Sequence, residues 1–307
     1  MTADRRDLDP QVSELLSRLP PHVDLRTRTV AQVRDAYDEL VRLRRGDSWS
    51  PTPVALSEDR TVAGVPCRLH LPTLDGPHRL LVWLHGGGWV VGGLDSHEDI
   101  CRLLCTRSGL AVLQVDYRLA PEHPYPAGLQ DALAVVREVG LDARWEAVAV
   151  GGDSAGGNLA AAVTFVCRAE GRPLAGQLLA YPCLDARCSE ASYARRSVGF
   201  GLEADDMRWY WQQYAGPADL TDPLLSPAAC HDLTGLPPAV IVSAGHDVLS
   251  DEDDSYAVRL DAAGVEVWHR RLPGMVHGFL GQTAAVAAAD VALSQIASAA
   301  GDLFTLR

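Results

Sequence analysis

From about residue 80 onward, short apolar segments alternate with segments of helical periodicity. Six apolar segments predict strands: RLLVWLHG (79–86), LAVLQVDY (110–117), EAVAVGG (146–152), GQLLAYP (176–182), AVIVSAG (239–245) and VEVWHRRL (265–272). Helices are predicted over 97–108, 126–139, 156–169, 251–263 and 284–303. Several of the strands are apolar almost throughout, as expected for strands covered on both faces. The alternation predicts an α/β fold in which helices flank a mostly parallel central sheet.

Two segments lie outside this alternation. Residues 1–50 contain the amphipathic stretches QVSELLSRL and VAQVRDAYDELVRLRR, and residues 185–228 form a long excursion rich in aromatic side chains. A compact domain rarely carries so long a connection without a function for it. We therefore expect a main domain over 51–307 with a helical cap, formed by an N-terminal cap segment, 1–50, and a second cap insertion, 185–228.

The balance of charge limits the partners of the chain. Lys and Arg number 27 against 40 Asp and Glu in 307 residues, and the formal net charge of -13 repels nucleic acid and anionic lipid surfaces. The first ten residues lack the apolar region of a signal peptide, and no apolar run reaches the roughly 18 residues of a membrane span. We expect a cytoplasmic protein that has no membrane span and binds no nucleic acid.

The cysteine pattern gives no sign of a metal site. Seven cysteines are an odd number and lack the paired short spacings of a zinc site. Cys101 and Cys105 lie four residues apart and would share a helix face, which fits core packing or, less often, a metal pair. We favour core packing with reduced thiols, and we expect neither a metal nor a cofactor.

Small residues surround Ser154 where a predicted strand runs into a predicted helix. Gly152 to Gly156 read GDSAG, which matches the G-x-S-x-G nucleophile elbow, a strained turn that projects a serine hydroxyl. Glycines on either side leave room for neighbouring backbone to approach the turn. Alone the pattern is weak, because a small-residue helix start also serves close packing or phosphate binding.

A second glycine cluster makes the first more specific. HGGGW, residues 85–89, follows the strand RLLVWL, and consecutive glycines there can turn backbone N–H groups toward one point. Such groups stabilise a developing oxyanion, and this loop accompanies the elbow in lipases and esterases.

A serine nucleophile needs a histidine base and an acid, which in this architecture follow it in the order acid, then histidine. Asp247 and His277 each come just after a predicted strand, and we assign them these roles. Three other histidines lie downstream and are interpreted as structural: His231, His246 and His269. His269 falls inside a predicted strand, and His246 adjoins the candidate acid. The alternative acids belong to the start of the next helix, where acids commonly serve its dipole: Asp251, Asp253 and Asp254.

The motifs together resemble the hormone-sensitive-lipase family of bacterial esterases, also called family IV. The resemblance runs over residues 80–280 through HGGGW, DYRLAPEHPYPA, GDSAGGN, HDVLSDE and HGF. It implies an α/β-hydrolase fold with a cap, Ser154 as nucleophile, Asp247 as acid and His277 as base. The family's oxyanion donors fall on the N–H groups of Gly87, Gly88 and Ala155, with Gly86 shaping the loop. Where the family commonly has Asp-Pro-Leu, this chain has Asp247-Val248-Leu249.

The resemblance implies a serine carboxylesterase acting on a small-molecule ester. The cap sequence leaves three alternatives open: a lactone, an amide or an acetylated natural product as substrate. A non-catalytic receptor on the same fold is disfavoured, because that branch of the family has lost the histidine found here as His277. The oligomeric state stays open, with a homodimer among the alternatives. Aromatic and apolar residues of the predicted cap, together with Trp89, are the candidates for substrate contact: Trp89, Phe200, Met207, Trp209, Tyr210 and Trp211.

Enclosure of the site by these side chains predicts a preference for acyl chains of roughly two to eight carbons.

Overall fold

The computed structural model describes residue 5 and residues 7–46 and 49–305. The other residues of the predicted cap segment 1–50 lie outside the described residues. Eight described strands form one sheet in the order β1-β2-β4-β3-β5-β6-β7-β8. Their bounds are β1 Leu56–Val62, β2 Val65–Leu71, β3 His78–Leu84, β4 Ala111–Val115, β5 Trp145–Asp153, β6 Gln177–Ala180, β7 Ala239–His246 and β8 Val267–Val276.

The strands from β3 to β8 run parallel, and β2 pairs antiparallel with both β1 and β4. All six strands predicted from the sequence are present, and the mostly parallel sheet is confirmed. The hairpin of β1 and β2 was not predicted. It places one polar strand at the edge of the sheet, far from the strand ends that carry the candidate site.

The described helices are α1 Pro10–Arg18, α2 Val30–Arg45, α3 Glu98–Ser108, α4 Ala127–Val139, α5 Ala155–Ala169, α6 Ala191–Arg195, α7 Ala204–Ala215, α8 Ser250–Ala262 and α9 Ala287–Asp302. The five helices predicted after residue 80 are confirmed with ends shifted by three residues or fewer. Short-range signals start the first two helices. Asp9 caps α1 through its side chain, and Thr29 with Gln32 forms a capping box on α2.

Each central strand contributes to two apolar layers, one on either face of the sheet. Along β3, Leu80, Val82 and Leu84 join the layer under α4, α5 and α8. The alternate residues Leu81 and Trp83 join the layer under α3 and α9. Successive side chains of a strand point to opposite faces, so a strand covered on both faces must be apolar throughout.

The N-terminal segment packs against the insertion between β6 and β7. His22 Nε2 lies 2.9 Å from Asp206 Oδ1, and Arg26 Nη2 donates to Asp205 at 3.3 Å. Both carboxylates belong to α7, so α7 is held against the chain between α1 and α2. The two segments predicted as caps therefore contact each other, while the domain division drawn from the sequence stays a prediction.

Arg34 fixes α2 to two loops beneath it. Its guanidinium donates to the carbonyl oxygen of Val90 at 2.9 Å and to that of Ala120 at 3.1 Å. It also pairs with Glu122 at 2.7 Å, and the hydrogen bond from Arg34 lowers the pKa of Glu122 to about 2. The guanidinium of Arg34 thus bonds to three partners at once, and these bonds hold α2 in a single orientation.

All seven cysteines carry free thiols, and Cys101 and Cys105 are fully buried in the layer under α3. In the described part of the chain, no group of residues is arranged to hold a metal ion. None of the described helices is long and apolar enough to cross a membrane.

Candidate active site

Ser154 sits at the sharp turn between β5 and α5. Its backbone angles are φ 54° and ψ -120°, a conformation that costs energy for a residue with a side chain. A Cβ on Gly156 would overlap the carbonyl oxygen of Leu84, and one on Gly152 would overlap Gly156. The turn is thus closed by backbone packed on backbone, and only glycine permits it at these two positions.

A hydrogen-bonded chain links this hydroxyl to two other loops. The Oγ of Ser154 lies 2.9 Å from His277 Nε2, and His277 Nδ1 lies 2.7 Å from Asp247 Oδ2. Asp247 follows β7, and His277 follows β8, at the same edge of the sheet as the end of β5. The carboxylate is fully buried, so it fixes the imidazole with Nδ1–H toward itself and Nε2 toward the serine.

Four of the alternative acids and histidines have partners other than Ser154 and His277. Asp251 pairs with Arg195 at 2.6 Å, and Asp254 pairs with His269 at 3.0 Å, both away from Ser154. His246 is buried and stacks on Phe200, with ring centroids 5.2 Å apart. The structure therefore brings together Ser154, Asp247 and His277, while their catalytic roles stay predictions.

The candidate oxyanion donors are the backbone N–H groups of Gly87, Gly88 and Ala155. Gly87 and Gly88 have φ angles of 120° and 57°, which turn their N–H groups away from the ladder of β3. Among the described residues, neither N–H donates to a protein acceptor. The N–H of Ala155 is the first of α5 and has no acceptor within the helix. Unengaged donors of this kind can bind an oxyanion.

Gly86 differs from the other two glycines. Its N–H donates to Asp153 Oδ1 at 3.0 Å, so it is already used within the protein. A Cβ on Gly86 would overlap the Asp153 carboxylate, which accounts for glycine there. The position fits a residue that shapes the loop and does not itself donate to substrate.

Asp153 is buried and joins the glycine loop to α3. Its Oδ2 lies 3.3 Å from His97 Nε2, at the start of that helix. Burial alone would raise the pKa of Asp153, but the attraction of His97 and the hydrogen bonds from His97 and Gly86 outweigh it. The pKa is therefore lowered, and the carboxylate is ionised at neutral pH.

His85 and Tyr117 support the loop from below. The Tyr117 hydroxyl donates to the carbonyl of His85 at 2.6 Å, and the rings stack with centroids 4.3 Å apart. His85 Nδ1 donates to the carbonyl of Gly86 at 2.7 Å. Burial lowers the pKa of His85 to about 3, so the ring is neutral and acts as a structural donor.

A cavity of about 460 Å³ opens above Ser154 and His277. Its floor consists of the glycine loop and these two side chains. Its walls come from α1, α2, α7 and the loop after His277. The enclosing side chains are mainly apolar, with Leu15, Leu16 and Met207 among them. A cavity of this size and character suits a small organic ligand.

Comparisons with known proteins agree with this geometry. The model of a family described by its α/β-hydrolase fold matches residues 81–281, which include the elbow, the glycine loop and both downstream residues. The chain belongs to the α/β-hydrolase family.

Curated relatives of this α/β hydrolase have closely related names. The carboxylesterase NlhH of Mycobacterium tuberculosis is 37% identical over 307 residues, covering 94% of this chain and 93% of the relative. The carboxylic ester hydrolase LipN of the same species is 44% identical over 229 residues, covering 70% of this chain and 61% of LipN. The chain thus spans less than two thirds of LipN. These matches confirm the resemblance to hormone-sensitive-lipase-type esterases.

Solved structures of α/β hydrolases superimpose over nearly the whole chain. The ester hydrolase EH1AB1 from the metagenome of Lake Arreo, complexed with a bipyridine phosphonate derivative, gives a TM-score of 0.90. It is 35% identical, and the match covers 97% of this chain and 100% of that one. The α/β-hydrolase fold predicted from the sequence is confirmed.

Six residues were predicted to contact substrate in this α/β hydrolase, and they fall into two groups. Phe200, Met207 and Tyr210 line the cavity. The other three do not line the cavity, and their contact with substrate stays a prediction: Trp89, Trp209 and Trp211.

These three tryptophans hold α7 on the main domain. Trp89 stacks on Tyr214 with ring centroids 4.4 Å apart and an interplanar angle of 2°, and it lies 4.3 Å from the Trp211 ring. Trp209 is buried and meets Tyr210 edge to face at 5.2 Å. Their aromatic area stabilises the packing of the insertion, as large buried rings do in any core.

Sequence reasoning missed most of the cavity wall. The N-terminal segment supplies Leu15, Leu16, Leu19, Tyr37 and Arg44. The amphipathic periodicity of α1 and α2 marked a buried face in each helix, but it did not distinguish a cavity wall from packed core. Burial raises the pKa of Tyr37 to about 12, so its hydroxyl stays protonated above the site.

Proposed function

We propose that the protein is a serine carboxylesterase that hydrolyses short- to medium-chain carboxylic esters through an acyl-enzyme. The observation that carries the proposal is the hydrogen-bonded chain from Ser154 through His277 to buried Asp247, at the floor of an apolar cavity. The names of the curated relatives, carboxylesterase and carboxylic ester hydrolase, support the same reaction class.

In the acylation step, His277 Nε2 removes the proton from Ser154 Oγ as the oxygen attacks the ester carbonyl carbon. The N–H groups of Gly87, Gly88 and Ala155 stabilise the negative charge on the carbonyl oxygen. The imidazolium then donates its proton to the departing alkoxide, and the alcohol leaves. Water, deprotonated by the same imidazole, attacks the acyl-enzyme and releases the acid.

The cavity supports a preference for acyl chains of roughly two to eight carbons. Leu15, Leu16 and Met207 offer apolar surface to a short chain, while the walls from α1, α2 and α7 limit its length. Each added methylene strengthens binding by at most about 0.8 kcal/mol until the cavity is full.

The test is hydrolysis of p-nitrophenyl esters of increasing acyl length by the purified protein and its Ser154→Ala variant. We expect wild-type turnover to be highest for short and medium chains, and Ser154→Ala to lower it by about 10⁴-fold or more. A p-nitrophenyl phosphonate ester should release p-nitrophenol and add the mass of its phosphonyl group to the peptide containing Ser154. Matched amides and lactones should be poorer substrates. An active Ser154→Ala variant, or a maximum at long-chain esters, would contradict the proposal.

A further inference from the structure

Arg44 is a charged side chain on the cavity wall that has no counter-ion among the described residues. It lies on α2 and is half-buried. In the part of the chain that the structure describes, no carboxylate pairs with it and no carbonyl accepts a hydrogen bond from it. The other charged groups of the wall have partners of opposite charge: Arg45 with Asp99, Asp153 with His97, Asp206 with His22, and Arg18 with Glu14.

The position of Arg44 relates it to the reaction centre. A Cβ on Gly278 would lie 3.7 Å from Arg44 Nη2, and one on Gly281 would lie 3.5 Å from Nη1. The guanidinium thus rests against the loop that begins directly after His277. Tyr37, two turns earlier on α2, lines the same cavity, so this face of the helix points toward substrate.

An unpaired, partly desolvated guanidinium is a binding site for an anion. Its planar fork matches the two oxygens of a carboxylate, and hydrogen bonds between charged groups are stronger than neutral ones. The apolar wall near Arg44 includes Leu40 and Val41, which suit an aliphatic spacer between the ester and such a charge. The net negative charge of the protein weakens anion binding at Arg44 only slightly, because exposed charges beyond about 8 Å are screened at physiological ionic strength.

We propose that the preferred substrates are aliphatic esters that carry a carboxylate, and that Arg44 pairs with that carboxylate. This inference rests on the proposed ester hydrolysis and specifies its substrate class. The charge would belong either to the acyl part, in a monoester of a dicarboxylic acid, or to the alcohol part, in an acyl ester of a hydroxy acid. Both place an anion at the end of a short apolar chain.

The experiment compares anionic and neutral esters of similar size. For the acyl part the pair is p-nitrophenyl hydrogen glutarate and p-nitrophenyl hexanoate, and for the alcohol part it is acetylated γ-hydroxybutyrate and n-pentyl acetate. The quantity measured is the ratio of kcat/KM for the anionic ester to that for the neutral ester. The proteins are wild type, Arg44→Gln, Arg44→Lys and the matched control Arg42→Gln, which removes the same charge from the solvent face of α2.

In at least one pair, Arg44→Gln should lower the ratio by about 10- to 100-fold, mainly through KM, since the contact exists before the transition state. Arg44→Lys should retain part of the ratio, and Arg42→Gln should leave it at the wild-type value. The pair that responds identifies the part of the ester that carries the charge. Ratios that stay within about twofold of wild type in both pairs for Arg44→Gln would overturn the proposal.

Failure of the proposed function has a different signature. A wild-type protein that hydrolyses none of the four esters, anionic or neutral, would contradict the esterase itself. Calorimetric titration of glutarate then tests the charge pairing alone, using Ser154→Ala and the double variant Ser154→Ala/Arg44→Gln. We expect glutarate to bind the first at least about tenfold more tightly than the second. Equal affinity for both would overturn the role of Arg44 whatever the reaction.

Discussion

The carboxylate of Asp153 accepts a hydrogen bond of 3.0 Å from the backbone N–H of Gly86. Asp153 directly precedes the candidate nucleophile, and Gly86 begins the glycine loop that carries the candidate oxyanion donors. The Asp153 side chain therefore connects the turn that carries Ser154 to the glycine loop. The same carboxylate contacts His97, which extends its support into α3.

Asp153→Asn should lower kcat by about tenfold with a smaller change in KM. Gly86 and His97 contact different oxygens of the carboxylate, and asparagine replaces one of these oxygens with an NH2 group, so the loop loses part of its alignment. Asp153→Ala, which removes both acceptors, should cost more. Steady-state kinetics on one p-nitrophenyl ester measures both effects. If both variants raised KM and left kcat unchanged, Asp153 would act on substrate binding only.

Asp153 should also contribute to stability in a pH-dependent way. Its pKa is lower in the folded protein than its ordinary value, so the ionised form stabilises the fold above about pH 4. That contribution is lost as the pH falls through the folded-state pKa. The difference in unfolding free energy between wild type and Asp153→Asn should therefore be largest near neutral pH, at about 1–3 kcal/mol, and shrink below about pH 4. Urea unfolding at several pH values measures it.

Asp247→Asn should lower turnover by roughly 10⁴-fold with little change in KM. The amide can hold His277 in the tautomer that points a proton, and not a lone pair, at Ser154. Asp251→Asn is the matched control, because Asp251 stands at the start of α8 and pairs with Arg195. It should reduce activity only slightly. If the control were the inactive variant, the acid would have to be reassigned.

Gly88→Ala should abolish most activity, and Gly109→Ala should not. Both glycines have positive φ, at 57° and 72°, so both substitutions introduce comparable backbone strain. A Cβ on Gly88 would additionally overlap the ring of Tyr210, whereas nothing lies within 4 Å of one on Gly109. Thermal unfolding should show a loss of about 1 kcal/mol for Gly109→Ala, while kcat/KM separates the two variants. Loss of activity in both variants would indicate that backbone strain, and not the overlap with Tyr210 in the glycine loop, causes the loss.

The local motifs were predictable from the sequence because their requirements are local. GDSAG and HGGGW need glycine where a Cβ would overlap neighbouring atoms or where φ is positive, and this requirement can be recognised without knowing what lies opposite. The positions of Asp247 and His277 followed from chain order and from strand ends that share one edge of the sheet.

The cavity wall was less predictable because a helix face that lines a cavity and a helix face that packs in the core have the same hydrophobic periodicity. Trp89 adjoins the glycine loop in sequence, yet its ring turns to Tyr214 and Trp211 and away from the cavity. Leu16 of α1 reaches the cavity from a segment with no recognisable motif. Which apolar side chain faces a void depends on how distant segments dock, and hydrophobic periodicity does not encode that docking.

The β1–β2 hairpin was missed for a different reason. Its first strand, LSEDRTV, is an edge strand with most side chains exposed, so it lacks the apolar alternation by which strands are recognised. The turn between the strands places Ala63 and Gly64 at φ 50° and 83°. Two consecutive positive φ angles are typical of a tight hairpin turn, but the pair Ala-Gly lacks the asparagine or aspartate that usually signals it.

Arg34 links one wall of the cavity to the chain that follows the glycine loop. Arg34 anchors α2, which supplies Tyr37 and Arg44 to the cavity wall. The carbonyl of Val90, which accepts a hydrogen bond from Arg34, lies two residues beyond Gly88. A displacement of α2 would break the hydrogen bonds from Arg34 to the chain that follows the glycine loop. One arginine side chain therefore couples the position of a cavity wall to the position of the loop that carries the candidate oxyanion donors.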